Sequence, residues 1–525
     1  MFLNADLETD NYKKLQIMIK NFKWLLLVSL TFMACNSDDD VTPPVESSDG
    51  KPLTSGSADF AKYVALGDSF AAGFSDNALF IKGQEGAYPN ILAQQFALVG
   101  GGEFKTPFAN DNIGGLLLGG NVVAGPRLYF NGTPVPVTGV PTTEVTAHLS
   151  GTFNNLGVPG AKSFHLLAPG YGNVAGVTTG TANPYFARFA SSATTTVLAD
   201  ALSQNPTFFS LWIGGNDELG YATAGGDPTV NPLTPPATFE AAYKGLVAQL
   251  VAGGRKGVIA NLPNITTLPH FHVITYNQLT QANLTVGGAS VVGTLNAQLY
   301  GPLSNALKFL GQGDRIKLLS ATGNNPLLIV DETLPDLSAN LKAVLMGGGL
   351  DVNTATAMGM IFGRARQALP TDLIVLGASS RIGKAPTVAA DGIASPSASL
   401  SQLGITFPLP DRYVLLPSEV AEIEVATTAY NSVIKAAAEA NGLAMVDAKT
   451  IMDDLNKPSG VTMNSFTLKA TFVTGGMFSL DGVHPSPRGY AFIANIFIQA
   501  INAKYGSNLK GVDIGNYQVL FPATL

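Results

Sequence analysis

The chain is poor in cysteine, charge and histidine. One cysteine, Cys35, stands among 525 residues. A single thiol excludes an internal disulfide and a cysteine cluster for zinc. Charged residues make up 13% of the chain, about half of the roughly 25% usual for soluble domains. The net charge is −7 at pH 7, so there is no basic footprint for nucleic acid. The five histidines are His148, His165, His270, His272 and His484. No H-E-x-x-H and no EF-hand spacing is present. The H-x-H pair, His270 and His272, follows Pro269 and reads as two loop histidines. Against these shortages, 46% of the residues are hydrophobic and there are 57 glycines and 32 prolines. That hydrophobic content excludes disorder over most of the length. A core of this size needs no disulfide or metal staple.

The N-terminus reads as an address. Lys20 and Lys23 precede a mostly apolar run, Trp24 to Met33, and Ala34 stands before Cys35. The run is too short to span a bilayer and fits a secretory signal. It resembles a bacterial lipoprotein signal over residues 1–35, with Cys35 as the lipidated residue and Phe32 where leucine is more common. An ordinary secretory signal is the alternative, and Met1 and Met18 are both candidate starts. Residues 36–60 are polar and proline-containing and read as a tether. Asp38, Asp39 and Asp40 resemble the acidic surface-export signal of Bacteroidetes lipoproteins, or form a solvated linker. The expected location is the cell envelope, as an outer-membrane lipoprotein.

Strand and helix patterns alternate from about residue 61. Apolar runs at Tyr63–Leu66, Phe208–Ile213, Gly257–Leu262 and Ala444–Asp447 read as buried parallel strands. Helical spacing covers Ile91–Leu98, Phe239–Val251, Val420–Ala440 and Ser486–Lys504, the last with Pro487 in its first turn. This alternation predicts an α/β fold with a parallel sheet. Two stretches break the rhythm. Residues 100–150 carry β-like patches such as Glu144–His148. Residues 266–414 mix helices with apolar pieces such as Ala343–Gly347 and Met358–Phe362, which suits an inserted cap or subdomain. The tail, 509–525, is apolar and predicted to pack back on the core.

Four short motifs carry chemistry. Gly67-Asp68-Ser69-Phe70 follows a strand and puts a hydroxyl at the carboxyl edge of the sheet, where α/β proteins place their sites. Asn155-Leu156-Gly157-Val158-Pro159-Gly160 offers backbone N–H groups with no side chain in the way. Gly214-Gly215-Asn216-Asp217 offers an amide donor after another strand. Asp481-Gly482-Val483-His484 precedes the last helix, and there a carboxylate can orient an imidazole. Each alone reads as a turn. Two decoys fail: Ala71 breaks the G-x-S-x-G elbow, and Gly377–Ala385 has the wrong spacing for a phosphate loop.

Together and in this order, the four motifs resemble the SGNH (GDSL-type) hydrolase family over about 61–265 and 415–508. The resemblance implies a flavodoxin-like three-layer α/β/α fold and serine hydrolysis of carboxylic esters, without cofactor or metal. Ser69 is then the nucleophile, His484 the base and Asp481 its orienting carboxylate. Gly160, Asn216 and the N–H of Ser69 are then the oxyanion-hole donors, with Gly157 the neighbouring alternative to Gly160. The expected substrate is an acyl ester of a lipid or small molecule, and 266–414 is a candidate acyl pocket or lid. A carbohydrate acetylesterase of the same fold is the second reading. An inactive lipoprotein binding module is the third, since fold does not imply function.

Overall fold

The computed structural model describes residues 47–525. Cys35, the signal and residues 36–46 of the expected tether lie outside the described residues; residues 47–60 are not a free tether, since the Thr54 N–H donates to Asn508 Oδ1 at 2.8 Å and Phe60 is buried in the cluster around the sheet. Five parallel strands form the main sheet: β1 (Tyr63–Gly67), β2 (Asn155–Gly157), β3 (Phe208–Trp212), β4 (Lys256–Ala260) and β5 (Ala444–Val446). Their spatial order is β5-β4-β3-β1-β2. β1 and β3 are buried at every position, which explains why they are continuous apolar runs rather than alternating ones. The chain leaves β1 toward β2 on one side and returns to its other side for β3. That reversal opens a crevice at the carboxyl ends of β1 and β3.

The helices that shape this crevice are, in chain order, α1 (Ser69–Ala72), α2 (Tyr88–Ala97), α3 (Val197–Ser203), α4 (Asn216–Thr223) and α5 (Pro236–Val251). Then come α6 (Gly301–Phe309), α7 (Ser338–Gly347), α8 (Val352–Phe362), α9 (Pro417–Asn441), α10 (Ala448–Leu455) and α11 (Pro487–Tyr505). Prolines sit in the first turns of α2, α5, α9 and α11, where a missing N–H costs nothing. α9 ends on Gly442 at φ +61°, a left-handed cap that glycine adopts without strain. α11 packs on α2 and β5, while α9 packs on α5 and α4.

Residues 274–416 gather a hydrophobic cluster of their own, separate from the cluster around the sheet. The apolar pieces at 343–347 and 358–362 fall in α7 and α8, which pack against each other. Leu373–Ile374 pairs with Val414–Leu415, and Ile374 also bridges Ile274, so this segment enters and leaves at one place. Within it Arg366 joins Asp331 (2.6 Å) and the fully buried Asp372 (2.5 Å).

Residues 100–150 form two small hairpins, Leu116–Leu118 with Asn121–Ala124 and Leu128–Phe130 with Pro134–Pro136. The β-like patch Glu144–His148 is not a strand. Only Glu144 bridges, opposite Leu117, because its carboxylate instead gathers the N–H groups of Gly119, Gly120 and Thr146 into a turn. The tail packs back as expected: Phe521 joins Ala78 and Phe80, and Arg127 donates to the carbonyls of Pro522 (2.7 Å) and Ala523 (3.1 Å). Among the described residues no helix is long and apolar enough to cross a membrane.

Candidate active site

The site begins where β1 stops. Asp68 caps α1, its Oδ1 accepting the Phe70 N–H at 3.0 Å. This cap makes Ser69 the first residue of the helix and aims its hydroxyl out of the sheet edge. Burial pushes the Asp68 carboxyl up to about 6 against the pull of the Phe70 N–H and His484.

The second part arrives from the far end of the chain. Ser69 Oγ and His484 Nε2 lie 2.8 Å apart, and His484 Nδ1 lies 2.9 Å from Asp481 Oδ2. A carboxylate only accepts, so Nδ1 carries the proton and Nε2 is left to accept from the serine hydroxyl. Asp481 also accepts the N–H groups of Asn77 (2.9 Å), Val483 (2.9 Å) and His484 (2.8 Å). Burial works to raise the Asp481 carboxyl, but the charge and hydrogen bonds of His484 and the backbone N–H groups hold it well below the usual carboxylate range. The rings of Phe74 and Phe70 flank the imidazole at 4.6 and 5.5 Å between centroids.

A clasp absent from the sequence reading holds this arm in place. Asp76 and Asn77 both have positive φ, +49° and +66°. Their turn presents Asp76 Oδ1 to the Leu480 N–H (2.9 Å) and the Asp76 N–H to Ser479 Oγ (3.0 Å). On the other side of the loop, the His270 N–H donates to the Gly482 carbonyl at 3.0 Å. A Cβ on Gly482 would lie 2.9 Å from that nitrogen, so glycine permits the close approach. Tyr490, on α11, donates to the Phe74 carbonyl at 2.7 Å.

The donor side lies on the two neighbouring strand ends. Val158 donates to the Gly67 carbonyl at 3.0 Å, which brings the Gly160 turn against the end of β1. Gly160 has φ +79°, and its N–H has no acceptor among the described residues. Gly157 is different. Its N–H is taken by Asn155 Oδ1 at 3.0 Å, and a Cβ there would lie 2.3 Å from the Ala72 nitrogen. Its bareness serves helix packing, which leaves Gly160 as the free donor. Asn216 opens α4, and its Nδ2 donates to the Ala161 carbonyl at 3.1 Å. A primary amide has two N–H donors, so a second remains. Asp217 fixes this register by accepting the Ser163 N–H (2.7 Å) and hydroxyl (2.8 Å). Gly215 sits beside the Asp68 carboxylate, since a Cβ there would be 3.6 Å from Oδ2.

The other histidines are occupied elsewhere. His148 faces the Ala190 carbonyl, His270 the Asp481 carbonyl and His272 the Thr266 carbonyl. His165 Nδ1 accepts the Lys162 N–H, and burial with the nearby Lys162 charge pushes its imidazole down to about 4. The H-x-H pair thus points at two separate backbone carbonyls. Away from the serine, Glu332, Asp411 and Glu419 bring carboxylate oxygens within 4.8 Å of one another. Burial, and then the neighbouring Glu332 carboxylate, raise Asp411 and Glu419 above the usual carboxylate range.

Compared with known proteins, the chain matches no family model, no curated protein and no solved structure.

Proposed function

We propose that this chain is a serine hydrolase of carboxylic esters on a flavodoxin-like SGNH scaffold, with 266–414 as an inserted subdomain. The observation that carries the reading is the relay Ser69 Oγ to His484 Nε2 (2.8 Å) and His484 Nδ1 to Asp481 Oδ2 (2.9 Å). The strand order β2-β1-β3-β4-β5 supports the scaffold, because it is the flavodoxin-like order with its site at the β1/β3 reversal.

A serine hydroxyl is a weak nucleophile until a base takes its proton. His484 Nε2 accepts that proton as Ser69 Oγ bonds to the ester carbonyl carbon. Asp481 stabilises the imidazolium that forms. The carbonyl oxygen becomes an oxyanion held by the N–H groups of Gly160 and Ser69 and by the Asn216 amide. His484 then returns the proton to the leaving alcohol as the carbon–oxygen bond breaks. Water repeats the sequence on the acyl-serine and frees the acid. No step calls for a metal, so EDTA is expected to leave the rate unchanged.

The test is a serine-reactive phosphonate together with a nitrophenyl ester. The expected result is labelling and hydrolysis in the wild type and neither in Ser69→Ala. An unlabelled wild type favours the binding-module reading instead. The N-terminal motif supports a lipid anchor at Cys35, which metabolic labelling with a fatty acid tests: the label is expected in the wild type and absent from Cys35→Ser.

A further inference from the structure

Two small cavities have Phe70, the residue after Ser69, as a common wall. The nearer, of about 40 Å³, is bounded by Asp68, Phe70, Gly215 and Val483. These are the chain neighbours of Ser69, Asn216 and His484. The second, of about 50 Å³, shares Phe70, Trp212, Pro263 and Leu268 with the first. It continues between α10 and α11 along Ala448, Met452 and Ile493, and no polar side chain lines it.

We infer that these cavities together receive the acyl chain of the ester and set a preference for short chains. The inference rests on the hydrolase reading above. In the acyl-enzyme the acyl carbon is bonded to Ser69 Oγ, so its chain must leave from that point. The direction past Phe70 offers apolar walls. The second cavity is wholly apolar and does not attract water, and an apolar chain loses nothing by entering it. An alcohol or sugar group there would forfeit its hydrogen bonds. Size sets the length. An apolar cavity of about 150 Å³ takes one benzene, so the two spaces here accept an acyl group of about four carbons. Of the lining, only Leu268 belongs to 266–414. The acyl pocket expected from that insertion is therefore built by the sheet cluster and α10–α11 instead.

The experiment measures kcat/KM of the full chain for nitrophenyl esters from acetyl to hexadecanoyl. The expected maximum is near butanoyl, with a fall of about tenfold or more by dodecanoyl. Ala448→Phe fills the second cavity and is expected to lower the butanoyl-to-acetyl ratio about tenfold. Met452→Ala enlarges it and is expected to move the maximum to longer chains. Ratios within one variant cancel any loss of folded protein. A maximum at dodecanoyl or beyond, or ratios unchanged in both variants, overturns the inference. Phosphonate labelling of Ser69 separates the two failures. A labelled enzyme with no chain-length preference loses the pocket alone, whereas an unlabelled one loses the hydrolase reading as well.

Discussion

Asp76 is a carboxyl group with no exposure and with Oδ2 lacking any partner among the described residues. Burial, with Asp481 nearby, pushes it up to about 7 although the Leu480 N–H pulls it down. A carboxyl raised in this way favours the folded state while protonated. That contribution is whole below the unfolded value of about 4 and is lost as pH rises toward 7. Asp76→Asn keeps an acceptor for Leu480 and has no charge to bury. The variant's stability relative to wild type is expected to rise by up to about 1.4 kcal/mol per pH unit between those limits. Denaturant titrations at several pH values measure this, and a difference flat with pH would mean that the group is ionised throughout. Asn216→Ala removes one donor to the oxyanion and is expected to lower kcat by roughly 10²–10³; a loss below about fivefold would remove Asn216 from that role. Ser69, Asn216, Asp481 and His484 were legible because each stands in a motif of four contiguous residues. Asp76 and Asn77 were not, because what they hold lies 404 residues away.

At the scale of elements, the least legible piece is β2. Asn155-Leu156-Gly157 has no apolar run, and asparagine and glycine are depleted in strands. Its place is fixed instead by side-chain chemistry: Asn155 Nδ2 donates to the Ala71 carbonyl at 2.9 Å and ties the strand to α1. Gly157 then lets the Ala72 backbone approach. Gly157→Ala is expected to cost about 1–3 kcal/mol of stability by overpacking. A displacement of Ser69 by about 1 Å would also lower kcat roughly 10²-fold. Gly125→Ala is the contrast, since an added Cβ there meets nothing within 4 Å, and its change should stay within about 0.5 kcal/mol. Thermal melts and active-site titration of both variants decide the point. The long helices were read correctly, α9 and α11 within a few residues, because proline at the start and glycine at the end punctuate an apolar period. The spatial order of the strands follows from crossovers that no local pattern records.

Among the described residues the two large hydrophobic clusters lie one around the sheet and one within 274–416. The second was visible in sequence only as low charge with scattered apolar pieces, since its contacts join segments far apart in the chain. Its buried ion group offers a separate test. Arg366→Met leaves the Asp331 and Asp372 carboxylates without their cation, and is expected to cost about 3–5 kcal/mol. The kcat per titrated active serine should stay at the wild-type value, because none of these residues reaches the catalytic arm. The distance between the reacting groups has another consequence. Ser69 and His484 are 415 residues apart, an interval a ribosome takes on the order of a minute to cover. On the proposed hydrolase reading, a nascent chain therefore shows Ser69 long before His484 exists to activate it, and stays chemically silent until that arm docks. On that reading catalysis is the last property the polypeptide acquires, and turnover counts only those molecules in which the two distant segments have met.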